Sequence, residues 1–329
     1  MDAEQTTTQP NQLFAKPSKA DFAQVARGFL MGGADIIPGV SGGTVALIVG
    51  IYDRLVTAIS HFDLTVLNHL KRREWIKAAE HVDLRFLIAL GCGIVAGIGG
   101  LVTLMHYLLD HQREPTFGAF FGLILGSSMI VAGRLQKWSP ANVVCLIVGS
   151  VGAFYIVGLP FLQSPPEGNA YIFFCGMVGI CAMILPGISG AFILLILGRY
   201  AYITETLKGL LHGDITPESV TTVAVFCAGC GIGLVSFSKL LRWLLARYEA
   251  PTMALLCGFM LGSLRKIWPF KRDLTPDVEK FKLKQFENIM PEQFDGSVML
   301  VIALAVVGFV LVLGLERYSN KNTPNSTDA

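Results

Sequence analysis

The chain has 329 residues, of which 53% are hydrophobic and 15% charged, and its mean hydropathy is +0.57. Soluble domains carry about 25% charged residues, so the composition excludes an ordinary soluble fold and indicates a polytopic membrane protein. The formal net charge of +2, with Lys and Arg spread through loops rather than over one face, excludes a nucleic-acid partner.

In chain order, residues 1–20 are polar, hold Pro10 and Pro17, lack a signal-peptide core and read as a disordered cytoplasmic tail. Residues 21–160 form a first membrane repeat. It opens with two apolar arms, about 22–37 and 44–59, meeting at Pro38-Gly39-Val40-Ser41-Gly42-Gly43-Thr44. Each arm is 16 residues, about 24 Å at 1.5 Å per residue, which is short for a full crossing. The spacing therefore predicts a re-entrant helical hairpin. Long apolar runs follow at Leu84–Leu109, Phe117–Gly133 and Val143–Leu162, each close to the roughly 20 residues that a span needs.

Residues 161–317 repeat the plan. Ile36–Tyr52 aligns without gaps on Ile184–Tyr200, including Pro-Gly-x-Ser-Gly in both. Gly91-Cys-Gly-Ile94 then matches Gly229-Cys-Gly-Ile232, Pro115-Thr116 with Leu125-Gly-Ser127 matches Pro251-Thr252 with Leu261-Gly-Ser263, and Gly152 and Gly158 match Gly308 and Gly314. Four blocks in one order indicate a duplication. A hairpin that returns to its own side, followed by three crossings, inverts the second half. The predicted fold is an all-α polytopic membrane protein of two inverted repeats, each a re-entrant hairpin plus three transmembrane helices. The two Ser tips are expected to meet near mid-membrane.

Loop charges place both termini in the cytoplasm, because the loops on that side collect most of the Lys and Arg. The polar loop 265–296 is expected outside although it holds seven Lys or Arg, balanced by six acids. Residues 318–329 read as a second disordered tail. The seven cysteines fall inside apolar runs, and Cys227-x-x-Cys230, with no His nearby, reads as small buried residues rather than a redox or metal pair.

The tips carry the chemistry. Pro38 and Pro186 stop one half-helix, and Ser41 or Ser189 can cap the next, leaving unpaired N–H groups at its start. Gly39, Val40, Ser41, Gly42, Gly43 and Thr44, with Gly187, Ile188, Ser189, Gly190 and Ala191, are thus expected to bind an anion through backbone amides and a hydroxyl. Asp35 stands inside an apolar arm, where a carboxylate costs roughly 2.5–3.5 kcal/mol on insertion scales. It reads either as an H⁺ or Na⁺ coupling site or as a cap on its own broken backbone. Arg27, Arg54 and Arg199 sit near hairpin ends, as interfacial residues or as headgroup contacts. No catalytic residue, metal or cofactor is expected.

These residues carry a resemblance. Arg27-Gly-Phe-Leu-Met-Gly32, Ile36–Thr44, Gly50-Ile-Tyr52, Leu185–Gly190 and Leu261–Pro269 resemble the polyprenyl-phosphate transporter family over about residues 22–315. The resemblance implies a multi-pass protein of the bacterial inner membrane. It would return undecaprenyl phosphate from the outer to the inner leaflet for peptidoglycan and envelope glycan synthesis, by alternating access around the tips. Two other readings stand beside it. Pro38–Thr44 is similar to the Pro-Gly-x-Ser-Arg-Ser motif of membrane undecaprenyl-pyrophosphate phosphatases, but Gly42 replaces the Arg and no close pair of intramembrane glutamates is present. A channel or exporter for small anions also suits glycine-rich helix tips.

Overall fold

A computed structural model describes residues 18–36, 41–133, 135, 138–160, 162, 164–278, 284, 286–291 and 293–322. The first helix, α1 (Lys19–Asp35), starts at a capping box in which Ser18 and Asp21 satisfy each other's backbone N–H. Pro38, Gly39 and Val40 of the first tip lie outside the described residues, as do 1–17 of the expected N-terminal tail. The second arm is two helices rather than the single one expected over 44–59. Seven residues form α2 (Gly42–Ile48), and α3 (Tyr52–Ser60) follows a turn at Gly50, whose φ of +73° favours glycine. The apolar run hid this break because hydropathy does not register a left-handed residue.

Residues taken as a charged loop then fold into α4 (Leu64–Lys71), capped by Asp63, and α5 (Trp75–His81). The long helices α6 (Leu84–His111), α7 (Arg113–Gly133) and α8 (Pro140–Ile156) complete the first half. In the second half α9 (Asn169–Ile184) leads to α10 (Gly190–Ile196) and α11 (Tyr200–His212), which meet at 115° across Gly198, φ +69°. After α12 (Pro217–Arg247) and α13 (Glu249–Ser263) the polar loop forms an antiparallel hairpin of β1 (Lys271–Asp273) and β2 (Phe286–Asn288), with Arg272 opposite Glu287. The protein is therefore mostly helical, consistent with the expected all-α membrane fold, and among the described residues the polar loop adds one small β-hairpin. The last helix, α14 (Gly296–Asn322), runs through residues 318–322 of the expected C-terminal tail. By length and composition α6, α7, α12 and α14 can each cross a membrane, and the bent α10–α11 pair is a fifth candidate. At 17 and 15 residues, α8 and α13 are shorter than expected for full crossings, about 26 and 23 Å.

The four most extensive helix seams are preserved when the halves are exchanged: α1 packs on α6 as α9 packs on α12, and α7 packs on α14 as α13 packs on α8. Each seam is built from glycine against backbone. A Cβ on Gly28 would overlap the Leu90 carbonyl, one on Gly93 that of Val25, one on Gly176 that of Phe226 and one on Gly229 that of Phe173. Gly122 meets Ala305 and Gly258 meets Leu146 in the same way in the other two seams. In lipid, small residues that let backbones approach supply much of the association, because the tails are as apolar as the side chains.

The seams also correct the register of the duplication. Gly93 faces Val25, Gly28 and Phe29, while Gly229 faces Phe173 and Met177, which stand where Val25 and Phe29 stand in the first half. Gly93 is thus the counterpart of Gly229, two positions from the sequence match with Gly91. Likewise Gly149, against Leu255, corresponds to Gly308, against Ala119, so the match of Gly152 to Gly308 slips by three. Apolar helices rich in glycine align almost as well in a wrong register, and only contacts separate the choices. Cys227 is exposed on its helix, contrary to expectation, whereas the Cys230 thiol donates to the Gly176 carbonyl at 3.4 Å.

Polar contacts gather in two groups. Arg85 pairs with Asp21 between the starts of α6 and α1, Arg54 in the first turn of α3 pairs with Asp83 just before α6, and Arg242 near the end of α12 donates to Ser60 at the end of α3. Elsewhere Arg265 donates to the Phe154 carbonyl, Arg113 to that of Lys271, and the Leu162 amide to the Ile196 carbonyl. Tyr202 and Thr222 join α11 to the start of α12 at 3.2 Å.

The register makes a direct prediction. Gly93→Leu and Gly229→Leu force backbones apart and should each destabilise the folded protein by about 2 kcal/mol or more. Gly91→Leu and Gly231→Leu meet open space and should leave the thermal midpoint of the detergent-purified protein near wild type. Equal losses at Gly91 and Gly93 would refute the assigned register.

Candidate functional site

The two tips touch. Thr44 Oγ1 accepts a hydrogen bond from the Gly187 amide at 2.8 Å, Ser41 Oγ donates to the Met183 carbonyl at 3.2 Å, and Tyr52 donates to that of Ile184 at 3.2 Å. Ser41, Thr44 and Tyr52 are all buried. Gly43 serves this contact, since a Cβ there would lie 2.6 Å from the Ile184 carbonyl oxygen, whereas Gly190 packs the second hairpin on itself, with a Cβ 2.5 Å from the Gly179 carbonyl oxygen of α9. Gly187 has φ +88° and sits against Phe259 and Met260, so the Pro186-Gly187 turn is pressed onto α13.

The tips differ in their electrostatics. At the first, the Gly42 amide donates to Asp35 Oδ1 at 2.7 Å and the Gly43 amide to Ser41 Oγ at 3.1 Å. A carboxylate from the preceding helix thus already occupies the position that an outside anion would take. At the second, Ser189 makes no side-chain cap and Met183 stands where the first half has Asp35. Both α2 and α10 are seven residues long, under two turns, so their own dipoles are small.

Positive charge comes from an element that the sequence reading set aside. A pocket beside the second tip is lined by Asp35, Ser189, Ala191, Phe192, Lys266, Lys271 and Lys284, among others. It adjoins a wider cleft of about 500 Å³ that shares Lys266, Lys271 and Lys284 and adds Arg265 and Glu287. The β-hairpin delivers these lysines, clasped by Lys284 to Asp273 at 2.7 Å and by the Trp268 indole donating to the Ile289 carbonyl at 2.9 Å. Burial pushes Lys266 down to about 8; for Lys271, burial, then the charges of Lys266 and Arg113, push it down to about 7. The signal was present in the seven Lys and Arg of a loop expected outside, and in Arg265 and Lys266 within the Leu261–Pro269 motif.

Arg27, Arg54 and Arg199 do not line this pocket. Arg27 donates to Gln24 at 3.2 Å, and Arg54 pairs with Asp83 at 2.6 Å above the Phe86 ring. Arg199 donates to the Pro166 carbonyl between the rings of Tyr171 and Tyr202. Ile188 is buried in a small apolar cluster with Ala182 and Ile193.

Residues 31–284 match the family model described as VCA0040-like, undecaprenyl phosphate translocase-like. The chain belongs to that family. It is a multi-pass helical membrane protein similar, at 38% identity over 90% of its length and 96% of the relative's, to a polyprenyl-phosphate transporter of Vibrio cholerae serotype O1. A polyprenyl-phosphate transporter of Staphylococcus aureus is 28% identical over 74% of the chain and 85% of its own length. No solved structure matches.

The tip contact within this family member is testable through one hydroxyl. Thr44→Val keeps the shape but leaves the buried Gly187 amide without its acceptor, which should cost about 1–3 kcal/mol. Thr44→Ser keeps the oxygen and should recover most of the loss in thermal unfolding of the purified protein. A Val variant as stable as wild type would show that the tips are held together by other contacts.

Proposed function

We propose that the chain is a lipid flippase that returns undecaprenyl phosphate from the outer to the inner leaflet of the bacterial inner membrane, for reuse in peptidoglycan and envelope glycan synthesis. Family membership and the likeness to two polyprenyl-phosphate transporters support the substrate class. The observation that carries the mechanism is the meeting of two broken hairpins, one from each half, beside a lysine-lined pocket.

In this reading the halves are inverted repeats and each hairpin is re-entrant. The first hairpin enters and leaves at the group of contacts containing Arg85, Asp21 and Arg242, and the second at the group containing Leu162 and Tyr202. Loop charges put the first group, and both termini, on the cytoplasmic side. The β-hairpin then faces outward and receives the phosphate from the outer leaflet, while the tail remains in apolar surroundings. Tip residues Ser189, Gly190 and Ala191, with Ser41 to Thr44 across from them, form the pivot where alternating access moves the headgroup. Asp35, present in one half only, is the site where H⁺ or Na⁺ enters the cycle, since a neutralised carboxylate repels a phosphate less.

Hydrolysis is disfavoured in the same reading. Ser41 is buried, and its hydroxyl is already engaged, donating to the Met183 carbonyl and accepting from the Gly43 amide.

The test is headgroup exchange of fluorescent polyprenyl phosphate in proteoliposomes of purified protein. Wild type should move the lipid between leaflets, faster under an H⁺ or Na⁺ gradient, without releasing inorganic phosphate from a pyrophosphate lipid. Asp35→Asn should retain downhill exchange and lose the gradient's effect. No exchange above protein-free liposomes would overturn the function, and a gradient response unchanged in Asp35→Asn would remove Asp35 from coupling.

A further inference from the structure

Resting on that transport reading, we propose that the lipid binds in two adjoining compartments: its phosphate monoester between Lys266 and Lys271, and the first units of its isoprenoid tail in an apolar groove between α7 and α14.

The phosphate compartment is cationic and short of anions. Lys284 is held by Asp273, whereas Lys266 and Lys271 form no ion pair among the described residues. Lys271 is 7% exposed; its ammonium donates to the Lys266 carbonyl and lies 4.9 Å from the Phe117 ring centroid. The Lys266 ammonium lies 3.9 Å from that of Phe192. Rings and a carbonyl support two neighbouring ammoniums less well than an anion would. Arg113, whose guanidinium donates to the Lys271 carbonyl, adds to the field from α7. The other charged groups facing the pocket and its cleft are Asp35, engaged by Gly42, with Lys284, Arg265 and Glu287. A phosphate monoester, with a charge of about −1.5 to −2 at neutral pH and several acceptor oxygens, completes this arrangement.

The second compartment has no polar lining. It measures about 390 Å³ and is walled by Phe121, Leu125, Trp268, Phe270, Ile302 and Phe309, over a floor where Gly122 meets Ala305. Ile302 and Val306 are about half exposed, so the groove opens away from the protein core. It neighbours the first compartment along two elements: Trp268-Pro269-Phe270 runs directly into Lys271, and Phe121 lies one helical turn from Phe117. An anion pocket joined to an apolar groove matches an amphiphile. Free inorganic phosphate has the same charge chemistry and no use for the groove.

The test uses full-length protein in nanodiscs, with farnesyl phosphate, methyl phosphate and inorganic phosphate as probes. Lys271→Met and Lys266→Met should each weaken farnesyl phosphate by about tenfold or more at neutral pH. Ile302→Trp, which fills the groove, should weaken farnesyl phosphate and leave methyl phosphate unchanged. Wild-type affinity should fall as pH rises from about 7 to about 9, because Lys271 and then Lys266 lose their protons while the phosphate, with a second pKa of about 6, keeps its charge. Lys271→Arg, which stays charged, should remove the part of that fall nearest pH 7 and leave only the later step of Lys266, a partial rescue that a purely structural lysine would not give. Wild-type-like binding in both Met variants, or a flat wild-type pH profile, overturns the phosphate compartment. Inorganic phosphate binding as tightly as farnesyl phosphate, with Ile302→Trp silent, overturns the tail groove and leaves a free-anion site. Leaflet exchange by wild type, measured separately, tells failure of this site from failure of the transport reading.

Discussion

Backbone-to-backbone contact through glycine is the constraint on which the rest of this protein depends. A soluble bundle gathers helices by removing apolar surface from water, but in a bilayer the same surface is equally at ease against lipid. Here Gly28, Gly93, Gly176 and Gly229 bring α1 to α6 and α9 to α12 so closely that carbonyls occupy the space of missing side chains. Those two seams fix the first arm of each hairpin to a long helix. The other two, around Gly122 and Gly258, tie each half to the other. A hairpin that ends inside the protein needs such fixed walls, because its broken backbone is tolerated only where protein satisfies it.

Within that frame the polar groups are divided unequally. The first tip is self-sufficient: Asp35, Ser41 and Thr44 consume its own amides and the Gly187 amide of its neighbour. The second tip has a Ser189 that makes no side-chain cap among the described residues, and it looks onto lysines contributed by a loop far along the chain. Electrostatic asymmetry is thus laid over a nearly symmetric set of helix contacts, and the two layers come from different parts of the sequence.

How much could be read beforehand follows the same division. Composition and apolar runs give the membrane class, and Pro-Gly-x-Ser-Gly with Gly-x-Tyr marks both tips and, unrecognised as such, both helix breaks at Gly50 and Gly198. Register within the long helices was not readable, since Gly91 and Gly93 are equivalent to a string comparison and differ only in which one faces Val25. The tips looked like free anion sites because a sequence shows which amides a helix leaves open, but not that Asp35 returns to one of them. Lys266 and Lys271 were visible as an excess of positive charge on a loop that the inversion of the halves leads one to expect outside. Their convergence on the second tip depends on the β-hairpin, whose three-residue strands are too short for a periodic signal.

The single carboxylate at the tips also bears on ancestry. A pair of identical half-length chains assembled around a two-fold axis must present the same side chain at both tips: aspartate twice or methionine twice. Two aspartates would fill both anion positions from within, and two methionines would leave both without an internal acceptor. Once the two copies are coded separately, as they are when joined in one polypeptide, position 35 and position 183 can diverge. The fused chain therefore has a state unavailable to any homodimeric forerunner, with one tip plugged from within and the other left open.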